Sequence, residues 1–262
     1  MKRLKSIFRK HKKIGIAFSG GAARGLAHIG VIKVLQEKSI PVSFVAGASV
    51  GSLIGALYAS GMSWQAMVEM ARDLEWRDLA QITFPKLGFA KQDRLESMLT
   101  KILGDKRFED LQIPMAMTTV DICTGEEYVI KSGPIARAVH ASASVPGIFE
   151  PTVIDGRYLV DGGLKDNLPV SVLREMGADF VIAVELNRQP PDPVPPKNVL
   201  EVLYRSYQII LALGKDAAKE CDVLIAPDLS PFNYFDLHQV DGLVKSGEEA
   251  TRQALERIIR AY

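Results

Sequence analysis

Cysteine is almost missing from this sequence: Cys123 and Cys221 are the only two in 262 residues. Two cysteines make no disulfide framework, and neither sits in metal-ligand spacing, so a reducing cytoplasm and no metal site are expected. Long apolar runs are also lacking. None approaches the roughly 20 residues that a membrane-spanning helix needs. Charge of one sign is lacking too. A formal net charge of +1 gives no global field that would favour nucleic acid. There is no internal repeat and no low-complexity tract. Histidine is sparse, with His11, His28, His140 and His238 the four present. None follows a strand as the histidine of a catalytic triad does, so structural or solvated roles are expected for all four.

What is present is a hydrophobic content of 47%, enough for one large domain with a substantial core. Apolar runs alternate with amphipathic stretches. This βαβα order argues for an α/β fold with a mostly parallel sheet covered by helices. Strands are expected near 14–18 and 42–46, and helices near 24–38 and 50–60. Ser63 is placed to cap a helix running to about Leu74, and another helix is expected near 92–103. Met115–Ile122 and Glu127–Lys131 read as a hairpin, as do Val153-Ile154 and Tyr158–Val160 around Asp155-Gly156. Short helices are expected from Pro134 to Ala141 and from Pro169 to Met176, the second stopped by Gly177. Phe180–Leu186 reads as a buried strand. A proline-rich linker, 189–196, precedes a long helix to about Glu220. A strand at Val223–Ala226 and a final helix at 240–261 complete the pattern.

Three motifs carry chemistry. Gly47-Ala48-Ser49-Val50-Gly51 stands at a strand-to-helix turn, the pattern of a nucleophile elbow. Small neighbours let the backbone bend sharply and let a carbonyl approach the serine. The Val50 N–H lies at a helix start, where the first donors have no internal partner and can hold a developing oxyanion. The second motif, Ser19-Gly20-Gly21-Ala22-Ala23-Arg24-Gly25, joins a strand to a helix. Its backbone N–H groups converge on an anion. A dinucleotide site would want an acidic residue at the end of the next strand, which here ends in Gly47-Ala48-Ser49. A P-loop would want Gly-Lys-Ser/Thr, which is absent. Arg24 is expected to fix this loop by bonding to carbonyls. The third motif is Asp161-Gly162-Gly163 at a strand end. By its local sequence Asp161 reads as a turn cap. Asp166 and Asn167 read as N-caps for the helix starting at Pro169.

Taken in order, these motifs resemble those of the patatin-like phospholipases, specifically the small bacterial members. The similarity continues through Ala141–Phe149 and Asp166-Asn167-Leu168-Pro169 and covers roughly residues 13 to 230. The resemblance implies a three-layer α/β/α fold with no cofactor. It implies a serine hydrolase of lipid acyl esters, phospholipid or lysophospholipid, working through a Ser–Asp dyad and an acyl-serine intermediate. Ser49 matches the nucleophile and Asp161 the catalytic aspartate. The oxyanion hole falls to Gly20, Gly21, Ala22 and Val50, with Arg24, Gly25, Gly47, Gly51, Gly162 and Gly163 as supporting positions. The chain departs from the family where Ala22 replaces the usual glycine. A negative φ there carries no cost, whereas a positive φ carries strain of about 1 kcal/mol. Two other activities fit the same motifs: hydrolysis of soluble acyl esters or thioesters, and a catalytically slow regulatory protein that keeps the fold.

Residues 1–12 read as a basic tail ahead of a single patatin-like domain, 13–262. Seven Lys/Arg lie among the first thirteen residues, interleaved with Leu4, Ile7 and Phe8. This composition suits peripheral contact with an anionic membrane, which would be the inner face for a cytoplasmic protein. The apolar stretch after the tail is short and runs into the glycine loop, so a cleaved signal is not expected. Residues 76–90, rich in bulky apolar side chains, read either as ordinary core or as a lid over an acyl groove.

Overall fold

The computed structural model describes residues 12–79, 81–82, 90–91, 93–188, 195–212 and 217–261. The tail up to residue 11, the centre of the 76–90 segment and residues 189–194 of the linker lie outside them.

The chain opens with β1 (Ile14–Phe18), a 3-10 turn (Ala22–Leu26) and α1 (Ala27–Glu37), then β2 (Phe44–Gly47) and α2 (Val50–Ala59). Next come α3 (Trp64–Arg72), α4 (Trp76–Leu79), the two-residue strands β3 (Gln81–Ile82) and β4 (Ala90–Lys91), and α5 (Asp93–Leu103). The hairpin β5 (Met115–Asp121) and β6 (Glu126–Ile130) is followed by α6 (Ile135–Ser142). After it come β7 (Thr152–Ile154), β8 (Arg157–Asp161) and α7 (Val170–Glu175). The chain continues through β9 (Phe180–Val184), α8 (Val199–Ala212), β10 (Val223–Ile225) and α9 (Val240–Ala261). As expected, Ser63 caps α3, its Oγ accepting the Ala66 N–H at 3.3 Å, and Gly177 ends α7 at φ +95°. The helix expected to reach Glu220 is described only to Ala212, with a separate 3-10 turn at Ala217–Lys219.

An eight-stranded sheet runs in the order β10-β9-β1-β2-β5-β8-β7, with β6 on the other edge of β5. From β10 to β5 every pairing is parallel; β6, β7 and β8 join antiparallel. Strand alternation divides the core. Ile14, Ile16, Phe18, Val45 and Ile182 pack with α1, α2 and α9, while Ala17, Ala46, Ala116, Val181 and Ala183 pack under α7. The small residues on the second face let α7 lie close to the sheet. The result is the three-layer α/β/α arrangement.

The register around β5 positions the site. β2 pairs with Met115–Met117 and ends at Gly47 opposite Met117. β8 runs the other way along the same edge, pairs with Thr119–Asp121, and ends at Asp161 opposite Thr119. Two strand ends therefore meet head-on at Thr118, bringing the turn after β2 and the turn after β8 together.

Candidate active site

Ser49 occupies the turn between β2 and α2 with φ +54° and ψ −126°. A non-glycine residue there carries backbone strain of about 1 kcal/mol or more, held by its surroundings. Those surroundings are specific. The Ser49 N–H donates to Ser142 Oγ at 3.1 Å, and Ser142 Oγ donates to the Thr118 carbonyl at 2.8 Å. Because that proton is committed, Ser52 donates to Ser142 Oγ across 2.7 Å. One buried hydroxyl from α6 thus ties the elbow to β5. Side chains would not fit around it. A Cβ on Gly51 would run into the Phe18 carbonyl, one on Gly47 into the Gly51 backbone, and one on Gly25 into Val50.

Asp161 is fully buried. Its Oδ1 accepts the Gly163 N–H and the Tyr207 hydroxyl, each at 2.9 Å. Its Oδ2 is buried and accepts no hydrogen bond among the described residues. Desolvation pushes this carboxyl up to about 6, against the opposing pull of the Ser49 hydroxyl, the Gly163 N–H and the Tyr207 hydroxyl. Asp161 therefore caps its turn through one oxygen, as its local sequence suggests, and keeps the other uncommitted, and both it and Ser49 line the same cavity. A Cβ on Gly162 would strike the Thr118 carbonyl, and one on Gly163 the Tyr207 hydroxyl.

The glycine loop follows β1. Asn167 Oδ1 accepts the Gly20 N–H at 3.1 Å, and Asn187 Nδ2 donates to the Gly20 carbonyl at 2.6 Å. Ala22 sits at φ +49°, so the alanine carries the strain that glycine would avoid. Arg24 donates through Nε at 3.1 Å and Nη2 at 2.8 Å to the Phe232 carbonyl. Its guanidinium stacks 3.5 Å from the Tyr234 ring centroid. The N–H groups of Gly21, Ala22 and Val50 have no acceptor among the described residues.

Asn167 corrects one expectation. It does not cap the helix after it: Pro169 holds the N-cap position of α7, with no side-chain bond there, and Asn167 instead reaches back to Gly20. The histidines turn elsewhere. His28 is buried, and its Nε2 donates to the Ser19 carbonyl at 2.9 Å. Burial drives that ring down to about 4, so it is neutral at pH 7. His140 Nδ1 lies 2.7 Å from Glu96 Oε2, an oxygen that also accepts from Arg137. The exposed His238 lies 3.8 Å from Glu75, and His11 is outside the described residues.

Ser49, Asp161 and the glycine loop open into one cavity of about 130 Å³. Its walls are predominantly apolar, among them Leu53, Ile54, Met70, Leu95 and Met98. Leu79, from the described part of the 76–90 segment, also lines it. α8 closes one side with Tyr204, Tyr207 and Leu211.

A parallel-sheet α/β domain with a strained serine elbow, a glycine loop and a buried aspartate defines a class, and the comparisons agree with it. Residues 16–174 match the patatin-like phospholipase family, and the chain belongs to it. Lysophospholipase nte1 of Aspergillus fumigatus is 35% identical over 181 residues, which are 67% of this chain and 12% of that protein. An uncharacterized NTE family protein of Mycobacterium tuberculosis is 33% identical over 178 residues, 67% of this chain and 49% of that one. The matched region thus spans half or less of either relative. Among solved structures, VipD from Legionella pneumophila shares the fold over 94% of this chain and 67% of its own, with TM-score 0.63 and 16% identity. A chain of the ExoU–SpcU complex of Pseudomonas aeruginosa does so over 95% of this chain and 52% of its own, with TM-score 0.51.

Proposed function

We propose that this chain hydrolyses acyl esters of phospholipids or lysophospholipids through a Ser49–Asp161 dyad and an acyl-serine intermediate. The observation that carries the reading is the head-on meeting of two strand ends at Thr118. It sets a strained serine beside a desolvated aspartate at the mouth of an apolar cavity. The relatives named as lysophospholipases support the substrate class.

In the first half-reaction Ser49 Oγ forms a bond to the ester carbonyl carbon, and its proton passes to Asp161 Oδ2. Negative charge gathers on the carbonyl oxygen, which the N–H groups of Gly21, Ala22 and Val50 stabilise. Gly20, whose own N–H is committed to Asn167, anchors this loop. The carbon–oxygen bond to the alcohol breaks, and Asp161 returns the proton to the leaving oxygen. Water then attacks the acyl-serine, giving a proton to Asp161, which passes it to Ser49 Oγ as the fatty acid departs. A carboxylate is a weak base at its ordinary pKa, and desolvation to about 6 brings Asp161 close to the working range. The acyl chain lies against Leu53, Ile54, Leu95 and Met98, where its burial contributes about 0.8 kcal/mol per methylene.

A fluorophosphonate probe tests the nucleophile. A single adduct on Ser49, lost in Ser49→Ala, is expected. An unlabelled wild-type chain would contradict the assignment and favour a catalytically slow protein that keeps the fold; label that persists in Ser49→Ala would place the nucleophile at another residue.

A further inference from the structure

α8 is apolar on two opposite sides. Tyr204, Tyr207 and Gln208 face the protein and are buried. On the other side Val199, Val202, Ile209 and Ile210 are 58%, 47%, 54% and 46% exposed. At 100° per residue positions 199, 202, 206, 209 and 210 form one continuous stripe. Ser206 is its single polar member, and the Ser206 hydroxyl bonds back to the Val202 carbonyl. The nearest charges, Glu201 and Arg205, lie along one flank, 3.9 Å apart as an i,i+4 pair. An exposed aliphatic stripe of this kind marks a contact surface.

We propose that the outer face of α8 is the surface by which this protein docks on lipid, seating its aliphatic side chains among the headgroups and upper acyl chains of a bilayer. The inference rests on the lipid hydrolase reading above, and three observations favour lipid over other occupants. The inner face of the same helix walls the cavity of Ser49 and Asp161, so a docked α8 leaves only its own thickness, about 10 Å, between that cavity and the lipid. The stripe lacks the aromatic and Arg anchors that dominate protein interfaces, and it carries no charge for a charged partner to match. One face of a 14-residue helix also offers far less than the roughly 800 Å² per partner of a stable dimer. Aliphatic insertion, by contrast, gains with every methylene withdrawn from water. Binding through this face is insensitive to salt, which separates it from attraction of a basic tail to anionic lipid.

The test uses the full chain, phosphatidylcholine vesicles and a soluble butyrate ester. Combining Val202→Ser, Ile209→Ser and Ile210→Ser should weaken vesicle partition by at least about tenfold at both low and high salt. Hydrolysis of the soluble ester should stay at the wild-type rate. Ser206→Leu fills the gap in the stripe and should tighten partition, which keeps the test decisive if the triple variant folds poorly. Unchanged partition in both variants would overturn the proposal. So would a wild-type dimer in sedimentation velocity that the triple variant dissolves without change in vesicle binding, because the face would then belong to a second copy. If neither protein hydrolyses soluble ester or lysophospholipid, the hydrolase reading falls, while vesicle partition still decides the docking face.

Discussion

The hydroxyl of Tyr207, on the inner face of α8, donates to Asp161 Oδ1 at 2.9 Å, 46 residues away in sequence. The bond stabilises the carboxylate and engages Oδ1, leaving Oδ2 without a hydrogen bond among the described residues. It also opposes the desolvation that raises this group, so Tyr207 keeps Asp161 ionisable near neutrality. Tyr207→Phe should therefore move the acid limb of the kcat/KM profile to higher pH. The loss should be largest below pH 7 and smallest in alkaline solution. An equal loss at every pH would mean that Tyr207 only supports the fold.

Asp161 also links stability to pH. Its folded pKa of about 6 exceeds the ordinary 3.8, so the folded state binds the proton more tightly than the unfolded chain does. Stability from this group is present at acid pH and is lost as pH rises through about 6, by about 3 kcal/mol at most. Asp161→Asn, which carries no charge, should gain stability relative to wild type between pH 4.5 and pH 8. Urea unfolding at the two pH values measures this. A constant difference between the two proteins would show that the aspartate is not desolvated.

Ala22 stores strain at φ +49° in the loop assigned to the oxyanion. Ala22→Gly relieves about 1 kcal/mol of it, and the added freedom of the unfolded chain takes back about 0.4–1 kcal/mol. Stability should change little and ester hydrolysis should persist. Ala22→Val, a β-branched residue forced to positive φ, should be clearly destabilising. Thermal melts with ester turnover check both, and a wild-type Tm for Ala22→Val would argue against a fixed left-handed conformation.

Seven cations among the first thirteen residues motivate a separate expectation for membrane contact. Each contributes about 1 kcal/mol near an anionic surface, and salt screens the attraction. Deleting residues 1–11 should reduce co-sedimentation with anionic vesicles at low salt and leave soluble-ester hydrolysis unchanged. Equal pelleting of both proteins would assign any lipid contact to the folded domain alone.

The order of elements was legible because periodicity and turn chemistry are local. Ile14–Phe18, the Asp155-Gly156 hairpin and the Ser63 cap all fall where their own residues put them. Ser49 and the glycine loop were legible for the same reason: each is a short pattern at a strand-to-helix turn. The supporting contacts were not. Asn167 meets Gly20 across 147 residues, and Ser142 meets Ser49 across 93. No spacing rule links such pairs: Gly20 follows β1 and Ser142 lies on α6, and only the assembled sheet with its packed helices brings them to Asn167 and Ser49. Asn167 was misread because Asn before a helix is usually its cap. Tyr207 gave no signal, being one of two tyrosines in a largely apolar helix. Both lie in or beside stretches rich in helix signals, where local readings crowd out distant ones.

In the proposed mechanism Ser49 and Asp161 act as one unit without histidine. Turnover of a short soluble ester by Ser49→Ala, Asp161→Asn, the double variant and His140→Ala tests it most directly. Each dyad variant should lose roughly 10³-fold or more, and the double variant should be little worse than either, because the two groups serve one proton transfer. His140→Ala should keep most of its turnover, since its Nδ1 is bonded to Glu96. Near-wild-type turnover in Asp161→Asn together with loss in His140→Ala would contradict the account.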